Sequence, residues 1–257
     1  MKLNIALIQT TTGRRPESNM KNISKMIGDA AKNGANFAFL PETCNFMEPD
    51  RKCQFRLATY EESDESLKIL RKLALKYQIW LLVGSLVIQA NKKFLANRSF
   101  IINNEGGIVA RYDKIHLFDA NLGGSHLYRE SDIYRPGNQL VIAETPWGKI
   151  GLTICYDLRF PQLYQSLANA GANVLTVPSA FTVPTGIAHW DVLLRARSIE
   201  TGCFVIAPAQ TGTHEGGRQT YGHSLAVNPL GQVIADGGTK TGITIASINP
   251  CLTNTVL

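Results

Sequence analysis

The chain is expected to fold as an α/β protein, a four-layer α-β-β-α sandwich in which one unit is used twice about a pseudo-two-fold axis. Three observations predict it. Asn33-Gly34-Ala35-Asn36-Phe37-Ala38-Phe39-Leu40-Pro41 is echoed by Ala170-Gly171-Ala172-Asn173-Val174-Leu175-Thr176-Val177-Pro178. In both, a helix ends at Gly, the chain turns through Ala-Asn, and an apolar strand follows that Pro closes. Ser99-Phe100-Ile101-Ile102-Asn103-Asn104-Glu105-Gly106 and Ser224-Leu225-Ala226-Val227-Asn228-Pro229-Leu230-Gly231 then open matching β-hairpins, each turning at Asn-x-x-Gly and running on to Ala110 or Ala235. Finally, the order strand, helix, strand, helix, strand, hairpin occurs in both halves. A sheet covered by helices on one face must bury the other, and the sheet of the other half is its natural partner.

Taken in order, Met1–Gln9 reads as a first strand and the next helix closes at Gly34. The strand Phe37–Leu40 follows, then a helix near Ser63–Tyr77, a strand over Ile79–Ile88 and the first hairpin. The second half opens with a short buried strand, Lys149–Ile154. Asp157 is expected to cap the helix that follows, with Pro161 in its first turn. After the strand Val174–Val177 come a helix near His189–Thr201, a strand over Cys203–Ala209 and the second hairpin. All 257 residues are expected to form a single domain.

Composition narrows the function. Hydrophobic residues are 44% and charged residues 18%, enough for a sizeable core and unlike a disordered chain. No apolar run approaches the roughly 20 residues that span a bilayer, and the N-terminal apolar stretch is too short for a secretory signal. A cytoplasmic protein without a membrane partner is expected. The net charge of +6 is dispersed, with Arg14-Arg15 and Lys92-Lys93 the longest basic groupings, so nucleic acid is not an expected partner. Five cysteines without a C-x-x-C pair and five scattered histidines give neither a disulfide framework nor metal-ligand spacing.

The chemistry concentrates at three places. Cys155 lies at a strand-to-helix junction in Gly151-Leu152-Thr153-Ile154-Cys155-Tyr156-Asp157-Leu158-Arg159-Phe160-Pro161, where a helix dipole would favour thiolate. Glu42 follows Pro41 at the end of the Phe37–Leu40 strand. Lys114 follows the first hairpin in Tyr112-Asp113-Lys114-Ile115-His116-Leu117. Alone, each has a plain reading: a small buried hydrophobe, a surface carboxylate, a solvated lysine. Strand ends of two face-packed sheets open on a common edge, however, which permits the three to converge. Together they suit acyl transfer, in which a thiol attacks a carbonyl carbon, a carboxylate takes and returns the proton, and an ammonium holds the oxyanion. No G-x-S-x-G is present; a Cys–His pairing stays open but ranks below the Glu-Lys-Cys reading.

Leu40-Pro41-Glu42, Tyr112–Leu117 and Ile154–Pro161 together resemble the three motifs of the nitrilase superfamily of carbon–nitrogen hydrolases, over essentially the full chain. The resemblance implies Glu42 as general base, Lys114 as oxyanion stabiliser and Cys155 as a nucleophile that forms an acyl thioester. It adds Glu130, before Arg135-Pro136-Gly137, as a positioning carboxylate and the Tyr156 backbone N–H as a second oxyanion donor. No cofactor and no metal are implied. Pro178–Gly186, Ala188-His189-Trp190, Ala209-Gln210-Thr211-Gly212 and Tyr221-Gly222-His223-Ser224 resemble the branch of amidases that act on deaminated glutathione.

That branch implies hydrolysis of a small anionic amide to 2-oxoglutarate and cysteinylglycine, a metabolite-repair reaction. Arg159 is the expected anchor for the keto-acid end, against an alternative as ion-pair partner of Asp157, and Phe181 and Thr182 are expected to line the pocket. A sister ω-amidase branch acting on 2-oxoglutaramate is the alternative, and a non-catalytic binding protein of the same fold a further one. Two stretches depart from the pattern. The Asp119–Tyr128 loop, with His126, differs where it borders the pocket, and a basic segment common after the last strand is missing past Cys251. A homodimer is expected, built on the helix after Cys155 and on His189–Thr201.

Overall fold

The computed structural model describes residues 2–121 and 127–251. His126 and the tail beyond Cys251 lie outside them. The first half runs β1 (Leu3–Gln9), α1 (Pro16–Lys32), β2 (Phe37–Phe39), α2 (Arg51–Leu57), α3 (Glu65–Tyr77), β3 (Trp80–Gln89), β4 (Leu95–Ile102) and β5 (Ile108–Asp113). A small hairpin, β6 (Asp119–Asn121) and β7 (Leu127–Arg129), leads to β8 (Ile142–Thr145). The second half runs β9 (Gly148–Leu152), α4 (Pro161–Asn169), β10 (Val174–Thr176), α5 (Val183–Thr201) and β11 (Phe204–Ala207). The hairpin β12 (Thr211–Thr213) and β13 (Gln219–Tyr221) precedes β14 (Leu225–Val227), β15 (Val233–Asp236) and β16 (Gly242–Ile248).

Two six-stranded sheets result, ordered β16-β1-β2-β3-β4-β5 and β15-β14-β11-β10-β9-β8. Read from their outer strands β16 and β8, the two orders match element for element. The match extends to single hydrogen bonds. Gly34 and Gly171 close α1 and α4 at φ +80° and +95°, a left-handed conformation that favours glycine. The amides of Ala35 and Ala172 then reach back to Ala30 and Leu167. Asn36 and Asn173 accept through their side chains from the amides of Asn4 and Lys149. At the hairpin turns, the Asn103 side chain accepts from the amides of Glu105 and Gly107, and Asn228 does the same for Leu230 and Gln232.

Period-two patterning puts Leu3, Ile5, Leu7, Phe37, Phe39 and Leu82 on the inner face of the first sheet, in one cluster with Leu152, Val174 and Val205 of the second. Their neighbours Ala6, Ile8, Ala38, Leu81 and Val83 face the other way, onto Met20, Ile23 and Ile27 of α1 and Leu67, Leu70 and Ala74 of α3. On the far side, α4 and α5 bring Leu163, Leu167, Trp190 and Leu194 to the second sheet. Each large apolar side chain buried this way contributes about 1.5–3 kcal/mol. These are the expected four layers.

Three elements differ from the sequence expectation. The α5 helix starts at Val183, six residues before His189, because Thr182 is extended and Pro184 is tolerated in a first turn. The α2 helix has an Asp50 cap on the Cys53 amide but buries no residue, so apolar periodicity gives no sign of it. The last strand, β16, crosses to the first sheet and pairs antiparallel with β1 from Leu3↔Ile248 to Gln9↔Gly242.

Backbone packs closely around Gly84, where the β3 register shifts between Val83 and Leu86. A Cβ there would lie 2.0 Å from the Leu40 carbonyl, 2.5 Å from that of Pro41 and 2.6 Å from the Pro178 Cβ. The obstruction is mostly backbone, so nothing can swing aside. Gly84→Ala is expected to destabilise the fold by about 3 kcal/mol or more, measured by urea unfolding.

Candidate active site

Cys155 follows β9 with its amide donated to the Pro178 carbonyl at 3.0 Å. Its φ is +49°, a left-handed conformation that non-glycine residues rarely adopt and that is typical of residues held in place by their surroundings. Residues Cys155–Arg159 form a 3₁₀ turn, and α4 begins only at Pro161. This corrects the expected cap: the residue before α4 is Phe160, whose side chain caps nothing. Asp157, fully buried, instead accepts from the Ile154 amide (2.9 Å), the Tyr112 hydroxyl (2.6 Å) and the His116 amide (2.9 Å), and sits 2.7 Å from His116 Nδ1. It therefore ties the Cys155 turn to the segment that carries Lys114.

Glu42 leaves the β2 end with its own carbonyl accepting from Gln210 Nε2 at 2.9 Å. Its Oε1 accepts from Asn97 Nδ2 (2.9 Å) and Lys114 Nζ (3.0 Å). Lys114 follows β5, is only 1% exposed, and bonds a second carboxylate, Glu130, at 2.9 and 3.2 Å. Glu130 in turn accepts from the Phe118 amide at 2.8 Å. The thiol of Cys155 is hydrogen-bonded to Glu42 and to the Ala180 backbone. The expected convergence of Glu42, Lys114, Cys155 and Glu130 is thus present.

The charges follow from this packing. Burial alone would raise the Glu42 pKa, but the Lys114 charge and hydrogen bond, the Cys155 hydrogen bond and Arg218 outweigh it and hold the carboxyl below its ordinary range. Burial likewise works against the Lys114 cation, and Glu130, Glu42 and Cys155 overcome it, holding the ammonium well above its ordinary value. Burial and the Glu42 charge push the Cys155 thiol up, against a smaller opposing effect of Lys114. The expectation of a dipole-stabilised thiolate is therefore corrected. The turn after Cys155 is too short to act as an α-helix, and a carboxylate stands beside the sulfur. At neutral pH the set is Glu42 carboxylate, Lys114 ammonium and neutral thiol, an arrangement that can move a proton from sulfur to carboxylate as the sulfur attacks.

Tyr156, Arg159, Phe181 and Thr182 line the same cavity as the four residues above. The Arg159 guanidinium stands 5.8 Å from the centre of the Tyr156 ring and 5.6 Å from that of Phe181, and Nη2 is 3.3 Å from His189 Nδ1. Asp157 uses its carboxylate elsewhere, so the geometry favours the pocket reading of Arg159 over an Asp157 ion pair. Thr182 Oγ1 is 2.8 Å from Thr185 Oγ1 at the start of α5. The cavity has about 20 Å³ of free room, close to one water. Sequence reading missed Asn97, Phe118, Ala180, Thr185 and Arg218. Asn97 sits inside an ordinary strand pattern and Arg218 in a polar hairpin loop, and neither position signals a site. Among the described residues no group of three or more His, Cys, Asp or Glu could hold a metal, and no helix is long and apolar enough to cross a membrane.

The carbon–nitrogen hydrolase family model matches residues 4–255. A Bos taurus protein named deaminated glutathione amidase is 42% identical over 250 residues, 95% of this chain and 76% of that protein. A Yersinia enterocolitica protein of the same name is 39% identical over 235 residues, 90% of this chain and 81% of that protein. Among solved structures, the Caenorhabditis elegans NitFhit protein superposes with a TM-score of 0.92 at 38% identity, covering 99% of this chain and 62% of that one. The chain belongs to the carbon–nitrogen hydrolase family.

Proposed function

We propose that this chain is a cysteine-dependent amidase that hydrolyses deaminated glutathione to 2-oxoglutarate and cysteinylglycine. The observation that carries the chemistry is the meeting of a neutral thiol, an anionic carboxylate and a buried ammonium in one cavity. The substrate rests on the relatives of that name, at about 40% identity over most of the chain.

The steps balance within the chain. Cys155 Sγ bonds to the amide carbonyl carbon as its proton passes to Glu42. The carbonyl oxygen becomes an oxyanion, held by the Lys114 ammonium and the Tyr156 backbone N–H. The C–N bond then breaks as Glu42 returns the proton to the departing nitrogen. Water next attacks the thioester with Glu42 taking its proton. The C–S bond breaks, and Glu42 reprotonates the sulfur. Glu130 keeps Lys114 charged and oriented throughout. Arg159 offers the keto-acid carboxylate a cation whose planar guanidinium can pair with it bidentately, and Phe181 and Thr182 wall that end.

We further propose that the whole chain works as one domain, in the cytoplasm and as a homodimer. Free thiols at Cys44, Cys53, Cys155 and Cys203 suit a reducing compartment. Ile187 (70% exposed), Val192 (64%) and Leu230 (57%) present an apolar surface on and beside α5 that suits a second copy.

Three measurements test these readings. Wild-type kcat/KM for deaminated glutathione is expected to exceed that for 2-oxoglutaramate at least tenfold, about 1.4 kcal/mol of transition-state discrimination, with Cys155→Ala as the inactive blank. Preference for the smaller amide would place the enzyme with the ω-amidases. The pH profile of kcat/KM is expected to be flat from about pH 5.5 to about pH 8.5. Lowering of the Glu42 pKa keeps the base ionised above the carboxylate range, so activity and the stability from the Glu42–Lys114 pair are lost only as pH falls through that lowered value. A limb rising through the ordinary thiol range would instead require a free thiolate. Val192→Glu is expected to shift the sedimentation mass from dimer to monomer; an unchanged mass removes α5 from the interface.

A further inference from the structure

A second chamber of about 490 Å³ adjoins the cavity at Cys155 and shares Phe118, Glu130 and Arg218 with it. We infer that this outer chamber is the subsite for the amine half of the substrate, the cysteinylglycine that leaves, and that it sets the preference for a peptide-like leaving group over ammonia. The inference rests on the substrate reading above and adds to it where each half of the substrate lies.

Direction comes from the proton transfer. Cys155 lines only the inner cavity, so the acylated carbon is formed there. Glu42 must protonate the departing nitrogen, and the residue joining Glu42 to the outer chamber is Asn97. Its Nδ2 donates to Glu42 Oε1, which identifies the other amide atom as oxygen. Asn97 is 2% exposed, and its Oδ1 has no hydrogen-bond partner among the described residues. A buried acceptor left without a donor costs about 1–3 kcal/mol, which a substrate N–H would recover. Asn97 Oδ1 accepting the scissile amide N–H turns the nitrogen lone pair toward Glu42 as the C–N bond lengthens.

The chamber walls suit the rest of that half. Arg129 and Arg218 both line it, Arg218 with Nη2 donating to the Ala180 carbonyl at 2.7 Å. Its carboxylates are engaged elsewhere: Glu48 with the Arg14 side chain at 3.5 Å, Glu215 with the Arg14 amide at 3.2 Å, and Glu130 with Lys114. Arg129 is exposed on this wall, and its guanidinium can pair with the terminal carboxylate of the dipeptide. Met47 and Tyr134 give an apolar surface for the cysteinyl side chain. An amide whose leaving group is ammonia reaches none of these groups.

The test is kcat/KM on deaminated glutathione and on 2-oxoglutaramate for wild type, Arg129→Ala and Met47→Trp, the first removing a cation and the second filling the chamber. The ratio of the two constants is expected to fall at least tenfold in each variant, mostly through a higher KM for deaminated glutathione; continued turnover of 2-oxoglutaramate reports the fold. Equal losses on both substrates would assign the chamber to the acyl half, and unchanged constants on both would show that the amine half lies elsewhere; either overturns the inference while leaving the substrate reading intact. A wild type that does not prefer deaminated glutathione overturns the substrate reading and this assignment with it.

Discussion

Burial of one ammonium constrains everything around it. Lys114 is 1% exposed, and an isolated charge at that depth would cost several kcal/mol. Two carboxylates from separate elements offset that cost: Glu42 from the end of β2 and Glu130 from the turn after β7. Neither can be lost without leaving charge uncompensated, so the bonds that hold the fold at this edge also hold the groups proposed to react. Burial first and the Glu42 charge second keep the neighbouring thiol protonated against the opposing effect of Lys114, which explains why a buried cysteine beside a lysine is not a resting thiolate.

The duplicated fold makes two such edges, and only one has this chemistry. Cys155 lies five residues beyond Ile150, which pairs with Val174, and Thr10 lies five residues beyond Ile5, which pairs with Phe37. By the same count Glu42 corresponds to Ser179. The second edge therefore presents Thr10 and Ser179, and its polar groups are satisfied internally: Gln210 accepts from Thr10 Oγ1 and the Thr12 amide and donates to Thr12 Oγ1 and the Glu42 carbonyl. Gln210 thus ties the Thr10 edge to the Glu42 backbone. Asp157 works similarly from the other side, where a buried carboxylate fixes the Cys155 turn and the Tyr112–His116 segment against each other.

What the sequence makes legible is what local chemistry decides. Gly34 and Gly171 announce left-handed helix ends, and Asn103 and Asn228 announce hairpin turns, because a few neighbouring atoms determine each. Alternation of large and small apolar residues along Phe37–Leu40 carries the two-faced burial of β2. The strand ends that bear Glu42, Lys114 and Cys155 follow from those landmarks, and so does their convergence once the two sheets are stacked. The ionisation of Cys155 escapes such a reading because burial and Glu42, more than 100 positions away in the chain, decide it rather than its own turn. The return of β16 to pair with β1 and the placing of Asn97 against Glu42 are likewise long-range events that no window of sequence records.

The same separation of local and long-range effects bears on how proton transfer is timed. Glu42 and Cys155 share one proton across one hydrogen bond, so they titrate as a pair rather than as two independent groups. Because Lys114 favours the carboxylate and burial disfavours the thiolate, the resting proton stays on sulfur, and in the proposed reaction the carboxylate would accept it only as the new S–C bond draws charge away from the sulfur. In the proposed reaction the oxyanion would form beside Lys114, a contact that a neutral ground-state carbonyl makes more weakly than the charged transition state. The folding requirement to neutralise Lys114 thus fixes it beside Glu42 and Cys155, where the proposed reaction would develop charge.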